Sequence, residues 1–460
     1  MPEGSGEGAH SVAAVPIRTV VVAAFAVILA ACGTRLPDSA FTTTTVAGAP
    51  TRAASTNPAS DVGVTPTEVR VGLIVSKTSA LGSETFSPPM YGALAYFKAL
   101  NQRGGVAGRT IDVDVCDDSG TGAGNRNCVH KLVDDDKVFA FAGNSIYQYV
   151  AASEVSDKDV PDVAGQPIGN AYDQYQHLYN LYGAVYPRHG TVGYDGNLYG
   201  GTEVYRYFKT ALGTKTAAVV SYNQADSQRF ADLIVRSLQA EGYSVVSEQV
   251  DFAVPNFDAV AADMKAHGVD SVFDSLDAAG NVNLCNAMDS AGLVVKAKVT
   301  TVQSWDETVR SQYANAPACR NSLYATSMDQ NYMDTQYPAV AQFRAEIQAA
   351  YPDRADRLSM WELEGWASAQ WLTDAMTSCG ANLTRACVEA YMNRPVDYDG
   401  HGVLIPRNFI VEPTPAPTQH NCLNVAQWQD TAYDGKGGWV TRVPDMNANC
   451  FDVPAVAYSA

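Results

Sequence analysis

The feature that most constrains this chain is a repeated switch between two hydrophobic periods. From Glu68 the run "EVRVGLIVS" is nearly continuous in apolar residues, which suits a strand buried on both faces of a parallel sheet. "MYGALAYFKALNQRGG" follows with apolar residues at helical spacing and a glycine pair where a helix stops. Then come "TIDVDVCDD" as a strand, "NRNCVHKLVDDD" as a helix and "VFAFAG" as a short strand. The alternation restarts near Thr216 with "TAAVVSY", "SQRFADLIVRSLQAEG", "YSVVSEQV", "FDAVAADMKAHG", "VDSVFDS" and "NLCNAMDSAG". Strands and helices at this period predict an α/β fold with doubly wound sheets, and the restart predicts two such units.

The remainder is read against that pattern. The aromatic stretch "NAYDQYQHLYNLYGAVYPRHGTVGYDGN" reads as loop, "YPAVAQFRAEIQAAYP" as a helix and "WELEGWASAQWLTDAMTSC" as a long amphipathic helix. From Pro413 the chain is Pro-rich and then carries Cys422 and Cys450, so residues 413–460 are expected as a disulfide-stapled C-terminal segment.

Ahead of the first strand lies "VVVAAFAVILAAC". Its apolar run has the length of a signal-peptide core, short of the ~20 residues of a membrane span. Leu29, Ala30, Ala31 and Cys32 resemble the lipobox of bacterial lipoproteins. The resemblance implies a signal peptide over 1–31, a lipid on Cys32, and a chain held at the outer face of the cell membrane. Residues 32–65, rich in Thr, Ala, Ser and Pro, offer too little apolar surface to offset ordering and are expected as a disordered tether.

Cysteine usage agrees with export. Nine cysteines are an odd set, and lipidation of Cys32 leaves eight. Of ~105 possible pairings the simplest joins sequence neighbours: Cys116 with Cys128, Cys285 with Cys319, Cys379 with Cys387, and Cys422 with Cys450. No cysteine pair has zinc-site spacing and no histidines are paired at metal spacing, so neither a metal nor a cofactor is expected. A net charge of -18 with scattered acidic residues argues against a nucleic-acid partner.

"VRVGLIVSKTSALGS", "YGALAYFKALNQRGGVAGRTIDVDVCDDSG" and "KLVDDDKVFAFAG", in this order and spacing, resemble the opening of the type I periplasmic binding proteins of the leucine/isoleucine/valine-binding family. The resemblance implies two doubly wound α/β lobes joined by three crossovers, with a solute enclosed between them. Lobe one would be 66–187 plus 329–395, and lobe two 188–328 plus 396–412. The implied partners are a small, amino-acid-like solute, an ABC-importer permease and, through Cys32, the membrane.

Ligands of open α/β sheets bind outside the carboxyl ends of the strands, and those ends are readable here. In lobe one they contain Leu81, then Ser145 and Tyr147 in "NSIYQY", then Gln166 in "AGQPIG". In relatives these loops hold a ligand carboxylate with small hydroxyl residues; here the serine-rich run is replaced. In lobe two the ends contain Tyr222, Asp274 and Asp277 in "FDSLD", and Trp305 and Asp306 in "QSWDE". The resemblance gives Asp277 and Asp306 the role of receiving a ligand ammonium, a charge-assisted hydrogen bond. Trp361 is expected at a cleft-facing helix start, and Trp366 and Trp371 in the core. The competing reading for Asp274 or Asp306 is a helix cap.

Catalytic signatures are absent from the sequence: it has no H-E-x-x-H, no G-x-S-x-G and no P-loop. A binding protein rather than an enzyme is expected. The alternatives are a sensory receptor of the same fold and, below it, a secreted hydrolase.

Overall fold

The computed structural model describes residues 57–183 and 186–459. The signal peptide, Cys32 and most of the expected tether therefore lie outside the described residues. Strands β1 (Glu68–Val75), β2 (Thr110–Asp117), β3 (Ala140–Ala142), β4 (Asp162–Ala164) and β5 (Leu178–Asn180) form a parallel sheet in the order β2-β1-β3-β4-β5. Val69, Val71, Leu73, Ile74 and Val75 of β1 are all fully buried, as a central strand with helices on both faces requires. The sheet and its helices make lobe one.

Lobe two is built on β6 (Asn197–Gly200), β7 (Thr216–Tyr222), β8 (Ser244–Val250), β9 (Ser271–Ser275), β10 (Ala297–Thr300) and β11 (Leu323–Ser327). The C-terminal segment adds β12 (Thr418–Cys422), β13 (Asn424–Gln429), β14 (Gly438–Thr441), β15 (Cys450–Pro454) and β16 (Val456–Ser459). Its main sheet runs β14-β13-β11-β10-β9-β7-β8, parallel from β11 to β8 and antiparallel at β13 and β14. The expected stapled segment past Pro413 thus contributes β13 and β14 to the main sheet of lobe two. β12 pairs with β15, where Cys422 faces Cys450, and β16 pairs with β6.

The chain passes between the lobes three times: after β5, after β11, and between the helix Arg385–Met392 and β12. The second and third crossings run side by side, with Gln330 N–H donating to Val403 O (2.7 Å) and Ile405 N–H to Met328 O (2.8 Å). Four disulfides join the sequence neighbours that the simplest pairing joins.

Two further expectations change. The tether is bound to the body before residue 65, because the buried Arg109 guanidinium donates to Pro58 O, Thr65 O and Ala381 O, and Arg385 N–H donates to Asp61 Oδ2. The helix Met360–Cys379 is buried on nearly every side from Met360 to Met376, so it is not amphipathic. It starts in a capping box in which Ser359 and Glu362 satisfy each other's backbone N–H groups. It lies against the helix Pro88–Gln102 at glycine-only distance. A Cβ on Gly92 would sit 2.0 Å from Glu362 O, and one on Gly365 would sit 2.0 Å from Pro89 O.

Since backbone is what a new methyl group would strike, Gly365→Ala must push the two helices apart. Urea unfolding should show a loss of roughly 1–3 kcal/mol. An unchanged midpoint would contradict this packing account.

Candidate functional site

The lobe-one wall is made by the loops after β1, β3 and β4. After β3 the chain continues beside β1: Ser145 N–H donates to Ile74 O and Ser76 N–H to Ser145 O, each at 3.0 Å. Asn144 Oδ1 accepts Ile74 N–H (2.7 Å) and Ser76 Oγ accepts Tyr147 N–H (2.9 Å) while donating to Asp118. These bonds hold Ser145 and Tyr147 in place without using their side chains. Asn144, Ser145, Ile146, Tyr149, Gln166, Pro167, Ile168, Tyr172 and Trp361 line one pocket.

Ser145 Oγ and Gln166 Oε1 are buried there and have no hydrogen-bond partner among the described residues. Buried polar atoms are nearly always satisfied, so unmatched ones in a pocket mark where a ligand's polar groups fit. Beneath the pocket, the Tyr149 and Tyr172 hydroxyls both donate to Asp162 Oδ2 at 2.8 Å. Burial pushes the Asp162 carboxyl up to about 6, with the two hydroxyls pulling against it.

On lobe two, Tyr222 and Asp277 come together. The Tyr222 hydroxyl donates to Asp277 Oδ1 (2.8 Å), and the same oxygen caps the helix Ala278–Ala291 by accepting Gly280 N–H (2.8 Å). Phe252 packs its edge on the Tyr222 ring at 5.1 Å. Burial raises the Tyr147 hydroxyl of lobe one, and the charge of Asp226 on lobe two raises it further. The lobes also touch where Met360 N–H donates to Trp305 O and Glu307 N–H to Leu358 O, each at 2.9 Å.

Of the residues the sequence nominates, Ser145, Gln166 and Trp361 line the pocket. Tyr147 is linked to them through Phe86, whose ring lies 5.6 Å from Tyr147 and 6.0 Å from Trp361. Leu81 is half-buried in the first loop, its carbonyl accepting the Thr85 hydroxyl (2.7 Å). Asp274 is spent internally: it forms a fully buried ion pair with Lys298, which also reaches Asn281. Asp306 is buried and accepts the Thr308 N–H and hydroxyl, both at 2.6 Å, in a local turn ahead of the helix Val309–Gln312. The N-cap of that helix is Thr308, so Asp306 is neither the helix cap weighed from sequence nor free for a solute. Trp305 is fully buried against Trp439 at 5.9 Å and belongs to the core, as do Trp366 and Trp371.

Sequence reasoning passed over Tyr149, Tyr172, Asp162 and Glu364. An aspartate inside the strand "DVAG" and a glutamate inside "WELEGW" are charged residues within apolar runs, the signal that could have found two of them. As for a metal, His420, Cys422 and Cys450 lie within 4.8 Å of one another among the described residues. Both sulfurs are tied in a disulfide, and His420 Nδ1 is bonded to Asp452.

A family model described as periplasmic binding protein matches residues 68–436. The chain belongs to the periplasmic binding protein family. Among solved structures, this periplasmic binding protein is similar to a fatty acid ABC transporter substrate-binding protein from Thermomonospora curvata. That match has 16% identity and a TM-score of 0.64, over 86% of this chain and 97% of that one. It is also similar to the branched-chain amino acid transporter substrate binding protein LivJ from Streptococcus pneumoniae in complex with isoleucine. Here identity is 15% and the TM-score 0.61, over 82% of this chain and 100% of that one. A third is the solute binding protein of an ABC transporter from Rhodopseudomonas palustris in complex with 3,4-dihydroxy benzoic acid, at 16% identity and TM-score 0.60, over 84% and 98%. No curated protein matches the chain. The type I fold with its two lobes is shared with these structures. Among the described residues, no helix is long and apolar enough to cross a membrane.

The interior of this periplasmic binding protein carries a pH signature. Burial pushes Asp162, Asp173, Asp306 and Asp329 up to about 6 each. A carboxyl raised in the folded state gives stability that is fully present below its unfolded value, ~3.9, and is lost as pH rises through the folded value. Asp430 works the other way: although burial opposes it, Arg320 and its neighbours hold it down to about 2, so its contribution is lost only in strong acid. The unfolding midpoint should therefore fall as pH is raised from about 4 to about 6.5. A midpoint that rises over this interval would contradict the assignment of these buried acids.

Proposed function

We propose that this chain is an extracytoplasmic solute receptor, moored by a lipid on Cys32, that captures a small polar solute and delivers it to an ABC importer. The solute class is an amino acid or a related amide or carboxylate. One observation carries the reading: Ser145 Oγ and Gln166 Oε1 are buried and unmatched in a pocket of lobe one, with Tyr222 and Asp277 of lobe two proposed as the wall opposite. Contacts made from both walls exist only when the lobes are together, so a bound solute shifts the population toward the closed form. Family membership supports binding and hand-over without turnover. The neighbours are described with isoleucine, a fatty acid and an aromatic acid, so the solute is argued from this cleft and not from the fold.

Thermal unfolding against a panel of amino acids, amides, small carboxylates, polyamines and sugars tests the capture. A compound at ~1,000 times its dissociation constant should add about 4 kcal/mol of stability. Ser145→Ala or Asp277→Asn should weaken that compound by about tenfold or more, the cost of one buried hydrogen bond. If no compound shifts the midpoint, or if neither variant reduces the shift, the cleft reading fails.

Mooring is tested separately by fractionating cells. The native chain should partition with membranes and Cys32→Ala should appear in the soluble fraction. Equal partitioning of both would remove the lipid from the proposal.

A further inference from the structure

Glu364 is fully buried on the helix Met360–Cys379, and its two carboxyl oxygens serve different parts of the molecule. Oε2 accepts the backbone N–H of Gln166 (2.8 Å), in the loop that carries the pocket's unmatched amide. Oε1 accepts the hydroxyl of Tyr182 (2.8 Å), which stands at the start of the first crossing between the lobes. The approach of the loop to this carboxyl depends on Gly165. A Cβ there would lie 2.9 Å from Glu364 Cβ and 3.2 Å from Oε2.

The other two crossings reach the same place. The Arg407 guanidinium of the third lies 5.9 Å from the Tyr182 ring centroid and faces Asp329 of the second. Asp329 Oδ2 accepts the Ser327 hydroxyl (2.7 Å), and its backbone carbonyl accepts Asn424 Nδ2 (2.8 Å). Burial first, and the Asp329 charge second, push the Glu364 carboxyl well above the usual carboxylate range. One helix side chain thus joins the cleft loop to the first crossing between the lobes.

We propose that Glu364 is the positioning residue that couples the ligand loop at 164–167 to the crossings, so that Gln166 is set in the pocket only while Tyr182 is in place. This rests on the reading of the cleft as the solute site. Coupling of this kind is reciprocal: a change at the crossing must be felt at the loop. Glu364 touches no solute and acts through Gln166.

Amide hydrogen exchange on the full chain without added solute tests this, because the Gln166 N–H is protected by Glu364 itself. Tyr182→Phe removes only the hydroxyl at the crossing, yet exchange at Gln166 should accelerate about tenfold. Glu364→Leu should accelerate exchange at Gln166 and in the segments 180–183, 328–330 and 403–407 together. Glu364→Gln should restore protection, since its carbonyl accepts the Gln166 N–H while its amide donates to the Tyr182 oxygen. If Tyr182→Phe leaves Gln166 exchange unchanged, or if Glu364→Gln exchanges as fast as Glu364→Leu, the coupling is overturned. The experiment needs no solute, so it stands or falls apart from the panel that tests capture.

Discussion

The close approach of two helices governs the rest of this molecule. Pro88–Gln102 and Met360–Cys379 touch backbone to backbone at Gly92 and Gly365, and no other residue leaves room for that contact. The contact fixes where the second helix begins. Its first turn carries Trp361 in the pocket wall, Glu362 in the capping box and bonded to Arg354 (2.8 Å), and Glu364 between the cleft loop and the crossings. A shift of this helix would move the pocket wall and the crossings together. Lobe two grips the same turn through Trp305 and Glu307, so the helix start is the common reference for both lobes.

Charge inside the protein is distributed by the same economy. Carboxylates that could have faced a solute are often committed elsewhere: Asp274 to Lys298, Asp306 to Thr308, Asp162 to two tyrosines. A buried carboxylate needs a counter-charge or hydrogen-bond donors: Asp274 has Lys298, and Asp306 and Asp162 each accept two hydrogen bonds. In the proposed cleft, neutral polar atoms of lobe one would meet the solute on one side and the Tyr222 and Asp277 pair of lobe two on the other.

How far the sequence discloses this can be argued from particular elements. β1, the helix ending at Arg103, β7 and β9 are legible because a buried parallel strand and a half-buried helix print different periods. β5 is not legible: Leu178–Asn180 is three residues inside a tyrosine-rich run, and its pairing with β4 is a tertiary fact. The helix Met360–Cys379 reads as amphipathic because Glu362, Glu364, Ser368, Gln370 and Thr373 are polar, whereas all of them are buried. Strand ends disclosed Ser145 and Gln166, which line the pocket. Whether an aspartate in such a loop faces a solute or a lysine depends on partners as distant in sequence as Lys298 is from Asp274, which no local pattern records.

The central claim is that a solute is held between the lobes by side chains from both. The most direct measurement is a crystal structure grown with a compound that stabilises the chain. The account predicts density in contact with Ser145 and Gln166 on one side and with Tyr222 or Asp277 on the other. Density confined to one lobe, or seated in the outer hollow beside Tyr91, Tyr351 and Arg357, would contradict it.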